Sequence, residues 1–513
     1  MRYILFLPFF ALLFSATAFS AQSWSGPGNP GAGGLTPELS CPQPWLGNPN
    51  FSLRLENAEG GASAWLGVSF ARDATTLHGA PVWIDLSQMF HQSLVPLSGQ
   101  LGQPGVGSFN VPFSIPTSPS LAGMQVFAQA GVLDSTVGMA SSNALSIVLT
   151  VEPQIFVAYG YSGANEWFTI DPQTATLEDT GVMPPYGPTG ASYGNGGQDL
   201  FLGVSRVGIR RADFRSGVPN WSTIWSSNGE DVFDAVFAGE QQRVWTLSGP
   251  SGALHELKAI DVNLSSSTYG QVVAETNGIS SRGITQFWRM RNDGKRACIP
   301  GLLTMKHWIY DLDPASPTYL QEIRTLEVPD HGQSIVSVIT DMVWAPNGKE
   351  LWVLVQHTGS MNAEIGRYSF ETNSWIDHNP TMPGIQCLGD YSTPPLVSGG
   401  APTYLRMAPL GGFCMVGGFG TPNFGTYSKG WMMRVDFEQG SANGVQASYF
   451  SAMDLGPDSW GAALNADGSK ICVAAPNQGA GDVHFISTNS LNLIGSVDLA
   501  NYWIQNLRTL VWR

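Results

Sequence analysis

The sequence predicts an all-β protein: an N-terminal antiparallel β-sandwich followed by a seven-bladed β-propeller closed by its C-terminal strand. Three observations predict it. A hairpin with a glycine turn recurs along the chain, a second strand signature follows each hairpin, and the end of the sequence supplies a strand that the first repeat lacks.

The clearest hairpin is Asp341 to Val355, DMVWAPNGKELWVLV. Apolar runs at Met342–Trp344 and Leu351–Val355 flank Pro346-Asn347-Gly348, and Asn-Gly between alternating hydrophobics is the strongest short-range hairpin signal. The same grammar returns at Met290–Cys298 and Leu464–Cys472, with weaker copies at Phe237–Trp245 and Met407–Cys414. The turn glycines Gly239, Gly294, Gly348, Gly411 and Gly468 are spaced by 55, 54, 63 and 57 residues. A period of that length marks an array or a propeller.

In chain order, residues 1–20 have the layout of a secretory signal peptide: Met1-Arg2, an apolar run from Tyr3 to Phe14, then small residues. The run is short of the about 20 residues of a membrane span. An exported or cell-surface protein is expected, with the periplasm as another destination and no span after cleavage. Residues 21–50, rich in Gly, Pro and Ser, read as a flexible linker. Residues 51–151 show short alternating runs at Phe51–Leu55, Ala64–Val68, Pro81–Leu86, Gly107–Val111, Met124–Gln129 and Leu145–Leu149, which predict the sandwich.

Residues 152–513 hold the repeats, each read as four strands. The third strands are Trp167–Asp171, Ile209–Asp213, Leu257–Asp261, Ile309–Asp313, Ile365–Ser369, Met432–Asp436 and Val483–Ser487. The first repeat starts directly on a second strand, Ile155–Tyr159, whereas Leu507–Trp512 matches the innermost strand Ile339–Trp344 and has no repeat of its own. The C-terminal segment therefore completes the first blade and removes the open edges.

These hairpins, together with third strands ending in Ile-Asp and followed by Pro-x-Thr, resemble YVTN or lactonase-like seven-bladed propellers over about 154–513. The resemblance implies an architecture shared by bacterial surface proteins and some enzymes, and carries no catalytic residue over. Residues 51–151 resemble a module of secreted planctomycete-type bacterial proteins, through Gly47–Phe51, Gly123–Gln129 and Ser142–Ser146. That implies fold and compartment only.

The chain has 24 basic and 39 acidic residues, a net charge of −15, which disfavours nucleic-acid binding. Of the five cysteines, Cys298, Cys414 and Cys472 hold equivalent places just after the hairpin turn and read as small buried hydrophobes. Cys41 and Cys387 fall in loop-like sequence and are candidates to pair. An odd count without CxxC spacing argues against a zinc site.

Catalytic motifs are sparse. Gly190-Ala-Ser192-Tyr-Gly194 matches GxSxG, but it falls on an expected innermost strand with no helix after it, and the nucleophile elbow needs that helix. His307 and His484 sit among apolar residues on third strands and read as packed. Trp245, Trp288, Trp344 and Trp352 read as filling between blades, and Tyr186, Tyr193, Tyr391 and Trp460 as loop aromatics that can touch a ligand. The connections into the innermost strands gather at one mouth of the channel. They offer Asp231, Arg282, Asp330, His331, Asp458, Gln505 and Asn506, a set able to bind a protein or carbohydrate ligand or to hold Ca2+ with oxygen ligands. The function expected is non-catalytic binding of a protein, glycan or envelope polymer. The alternative is a lactonase- or lyase-like enzyme using His331, Arg282 and nearby carboxylates.

Overall fold

The computed structural model describes residues 22–512 outside 42–43, 49–50, 151–154, 162–163, 173, 183–186, 216–218, 251–254, 280–287, 302–305, 329–336, 358–362, 377–384, 388–399, 409–411, 421–430, 438–444, 451–460, 466–467, 478–479 and 500–506. The chain is built from strands, with only single-turn 3-10 segments between them among the described residues.

In the N-terminal part, one sheet orders Gln22–Gly26, Ala144–Val148, Gln125–Leu133, Ser63–Ser69 and Met89–Pro96 side by side. A smaller sheet orders Glu38–Ser40, Ser52–Ala58 and Gly107–Pro112. Leu39, Leu53, Leu55 and Phe109 of the smaller sheet meet Leu66, Ala128, Val132, Leu145 and Ile147 of the larger in one buried core. Full burial of such a side chain is worth about 2 kcal/mol, so the two alternating faces specify the sandwich.

The stretch read as a linker belongs to this sandwich. Gln22–Gly26 pairs with Ala144–Ile147, and Glu38–Ser40 pairs with Arg54–Glu56. Its glycines serve close approach rather than freedom: a Cβ on Gly28 would lie 2.3 Å from the Ser141 carbonyl oxygen. Asn29 Oδ1 accepts from the Ser141 N–H at 2.6 Å, and Asp134 Oδ2 from the Ala32 N–H at 2.6 Å.

From Ile155 onward the described strands form seven antiparallel sheets. Their first strands are Leu507–Trp512, Pro188–Gly194, Asp231–Ala238, Arg289–Met290, Ser337–Trp344, Gly400–Met407 and Gly461–Leu464. Every strand predicted as third in its unit takes third place. A buried cluster joins each sheet to the next: Phe156 with Leu200, Phe201 with Val244, Trp245 with Ile299, Ile309 with Met342, Leu354 with Cys414, and Met415 with Ile471. The last cluster, with Phe485 and Ala474 against Val157, Phe168 and Leu510, joins the seventh sheet to the first. Leu507–Trp512 pairs with Ile155–Tyr159, and Leu510 lies opposite Val157. This is a β-propeller with the predicted strand exchange at its seam.

The hairpin turns follow the predicted chemistry in part. Gly294, Gly348 and Gly468 have φ of +72°, +67° and +72°, the left-handed region open to glycine. In the third sheet that conformation falls on Gln242 (φ +49°) rather than Gly239, and in the sixth on Gly412 (φ +84°), Gly411 lying outside the described residues. The third-strand aspartates cap the outer turns: Asp261 Oδ2 accepts from Thr268 Oγ1 at 2.5 Å, and Asp311 Oδ2 from Thr318 Oγ1 at 2.6 Å. In the fourth sheet the third strand ends at Asp311, two positions before the expected Asp313, and Asp313 caps the same turn by accepting from the Ala315 N–H at 3.0 Å.

Cys298, Cys414 and Cys472 are buried in the clusters between sheets, as small hydrophobes are. Cys41 is buried in the sandwich core, whereas Cys387 ends a short strand beside Glu364 in the fifth sheet.

Candidate functional site

First strands of successive sheets adjoin one another around the propeller axis, so any charge they carry is held at the centre. Among the side chains the structure describes, four first strands carry a buried charge: Asp234, Arg289, Asp341 and Arg406, on the third, fourth, fifth and sixth sheets. Three of the strands bulge beside these residues or their neighbours, between Phe233 and Val236, Ile339 and Asp341, and Pro402 and Tyr404. A bulge re-aims side chains out of the regular alternation.

The four side chains connect in sequence. Arg289 Nη1 lies 4.0 Å from Asp234 Oδ2, and Nη2 donates to Asp341 Oδ1 at 2.5 Å. Arg406 Nη1 donates to Asp341 Oδ2 at 2.6 Å, and its Nε to the Ala462 carbonyl of the seventh sheet at 2.6 Å. Asp341 also accepts main-chain N–H bonds from Met342 at 2.8 Å and Leu405 at 3.0 Å. At the other end, Asp234 lies against Gly190 of the second sheet, where a Cβ would come within 2.1 Å of Oδ1. The chain of contacts therefore runs from the second sheet to the seventh.

Electrostatics separates the two acids. Burial works to raise the pKa of Asp341, but the guanidiniums of Arg289 and Arg406 and the two N–H donors outweigh it and hold the carboxyl below its ordinary value. Asp234 has one arginine at a longer distance, and burial pushes its pKa up to about 7 against the pull of Arg289 and the Ala235 N–H. Burial lowers the pKa of Arg406, and its Nη2 is buried without a hydrogen-bond partner.

Of the residues predicted at the channel mouth, the structure describes Asp231. It begins the first strand of the third sheet and accepts from Ser205 Oγ at 3.1 Å, with Arg206 Nε 3.5 Å away. Beside it, Lys258 Nζ pairs with Glu230 at 2.8 Å, and burial lowers the pKa of His255 against the pull of Asp231 and Glu230. Arg282, Asp330, His331, Asp458, Gln505 and Asn506 lie outside the described residues, as do Tyr186, Tyr391 and Trp460. Among the described residues no group of three His, Cys, Asp or Glu side chains could hold a metal, so the Ca2+ reading rests on residues beyond them.

The other motifs resolve as packing. Ser192 is buried on a first strand, and its Oγ accepts from the Phe237 N–H at 2.8 Å, binding the second sheet to the third. Tyr193 is a buried residue of a first strand, its ring tilted 49° against Phe214 at 6.1 Å, rather than a loop aromatic. Trp245, Trp288, Trp344 and Trp352 are buried, and the Trp288 and Trp344 indoles donate to the Phe233 and Arg289 carbonyls of the preceding sheets at 3.1 and 3.2 Å. His307 is fully buried, which drives its pKa down to about 3, and His484 is buried 4.0 Å from Asp482. Among the described residues no helix is long and apolar enough to cross a membrane.

No family model matches the chain, and no curated protein matches it. Solved structures similar to it include the periplasmic gluconolactonase PpgL of Pseudomonas aeruginosa, 12% identical with a TM-score of 0.49, covering 70% of this chain and 98% of that one. A putative 6-phosphogluconolactonase of Bacteroides uniformis is 11% identical with a TM-score of 0.48, covering 71% and 99%. The β-propeller domain of Myceliophteria thermophila Cps50 (Swd1) is 11% identical with a TM-score of 0.41, covering 61% and 86%. At these identities the likeness is one of architecture, and the β-propeller fold is carried by the chain's own strand order.

Proposed function

We propose that this chain is an exported, non-catalytic binding protein whose propeller presents the connections entering its first strands to a protein, glycan or envelope-polymer ligand. The observation that carries this reading is the use made of the central charges. Asp341 spends its carboxyl on two arginines and two main-chain N–H groups, and Arg289 and Arg406 reach the main chain of adjoining sheets. Charges consumed in this way fasten the sheets and leave recognition to the mouth, for which the sequence offers Asp231, Arg282, Asp330, His331, Asp458, Gln505 and Asn506. The leader-like residues 1–20 support export. The test is a glycan and envelope-polymer array probed with the mature protein. Binding that is lost in Asp330→Ala with His331→Ala supports the reading; turnover of a lactone panel that is lost in the same variant overturns it.

A second reading, a lactonase- or lyase-like enzyme, is favoured by Asp234. A buried carboxyl with a pKa of about 7 suits general acid–base work, and Arg406 Nη2 is a donor available to developing negative charge. It requires turnover with a pH profile turning near neutrality that Asp234→Asn abolishes.

A further inference from the structure

The sandwich carries an open edge of unusual character. Met89–Pro96 is the last strand of its sheet and pairs, among the described strands, with Ser63–Ser69 alone. The Leu97 N–H donates to the Ala62 carbonyl at 2.8 Å, which fixes the alternation of the ladder. The main-chain groups of His91, Ser93 and Val95 face the neighbouring strand, and those of Gln92 and Leu94 face outward. Natural edges are blunted by charge, by proline or by a bulge. Here the bulge lies at the Phe90 end, between Val68 and Ser69, and Pro96 closes the other end, so the segment between them is bare. From Leu86 to Leu133 the sequence holds no Asp, Glu, Lys or Arg.

Apart from Gln92, the exposed side chains at this edge are apolar. Phe70 and Phe90 stack with centroids 4.3 Å apart and are 51% and 50% exposed; Leu94 is 66% exposed. Two phenylalanines half exposed leave about 200 Å² per copy, or about 400 Å² for two copies. That is a large part of the about 1,000 Å² a specific interface needs, before Leu94 and the strand itself are counted.

We propose that this strand pairs antiparallel with the same strand of a second copy, about a two-fold axis at Ser93. The edge's own chemistry selects that occupant: with no Asp, Glu, Lys or Arg from Leu86 to Leu133, two copies meet here with no like charges directly opposed, and the long-range repulsion of a net charge of −15 is screened by salt. The geometry is self-complementary. Gln92 and Leu94 of one copy exchange their outward N–H and C=O bonds with Leu94 and Gln92 of the other, and Phe90 of each falls beside Pro96 of its mate. The larger sheet thereby continues from one copy into the next, and two propellers are displayed together. A bivalent molecule binds a repetitive polymer far more tightly than one propeller does.

Sedimentation of the full mature chain over a wide concentration range tests this. The wild type is expected to move from monomer to dimer. Leu94→Lys, a change at an exposed position, is expected to remain monomeric, with the unfolding midpoint that the wild type shows when dilute enough to be monomeric. Ser93→Cys is expected to give a disulfide-linked dimer on mild oxidation, because directly opposed residues bring their Cβ atoms close. A wild type that is monomeric throughout overturns the proposal. So does a dimer that survives Leu94→Lys, or a dimerising Ser93→Cys chain that fails to cross-link. Open-ended assembly in place of a closed dimer overturns it as well.

Discussion

Asp341→Ala tests whether the central charges fasten the propeller. Removing one partner of a buried ion pair costs about 3–5 kcal/mol, since the other charge stays buried and uncompensated. Here two guanidiniums are abandoned, and the Met342 and Leu405 N–H groups lose their acceptor at about 1–3 kcal/mol each. These terms overlap, so the expected loss is about 5 kcal/mol, much of a domain's stability. Urea unfolding followed by tryptophan fluorescence reports it: Trp24, Trp45, Trp65 and Trp83 lie in the sandwich, leaving 17 − 4 = 13 in the propeller. The midpoint should fall with the slope unchanged. Replacing the triad together, with Asp341→Leu, Arg289→Met and Arg406→Met, should restore most of the loss, since apolar residues of similar volume need no compensation. A loss below about 1 kcal/mol, or a triple variant no more stable than Asp341→Ala, would refute the reasoning.

Asp234 gives a pH signature of opposite sign to an ordinary salt-bridged acid. Its folded pKa of about 7 stands above the 3.8 of the unfolded chain, so its contribution is present below pH 3.8 and is lost as pH rises toward 7. Asp234→Asn should remove that decline, with a larger gain in midpoint at pH 8 than at pH 5; equal gains would contradict it. At the seam, Leu510→Ala should cost about 2–5 kcal/mol in the same unfolding assay, because Leu510 is buried against Val157 and Phe168. Among turn glycines, Gly348→Ala should destabilise, with φ at +67° and Arg291 Cδ 2.9 Å from the new Cβ, and Gly239→Ala should be tolerated, its nearest neighbour being 3.6 Å away. Equal midpoints for those two variants would show that the turn conformations are misassigned.

The strand order of the propeller was legible because period, turn and third-strand signature agree on the same boundaries. The seam was legible because one repeat lacks what the terminal segment supplies. Two things misled. Glycine-rich sequence is shared by flexible arms and by segments pressed against another main chain, and Gly28 against Ser141 is the second kind. Met89–Pro96 escaped notice because its apolar residues fall on both faces. The central charges were also missed, although a signal existed. Asp234, Arg289, Asp341 and Arg406 each fall next to apolar residues on a first strand shortly before the turn, acid and base alternating from one sheet to the next. Sequence alone cannot bring them together until the sheets are placed around one axis. The mouth residues sit in connections, where length and composition vary most and no periodicity anchors the register.

The pairing of Leu507–Trp512 with Ile155–Tyr159 has a consequence for how the molecule is made. The first sheet waits for a strand synthesised about 350 residues later, and closing a loop of that length costs about 5 kcal/mol of chain entropy. Until then a nascent chain carries a naked β-edge at Ile155–Tyr161 and an unmatched flank on the seventh sheet. Biogenesis therefore ends with a single late latching event, and a ribosome that stalls within the last sheet releases an aggregation-prone polypeptide rather than a slightly shortened propeller.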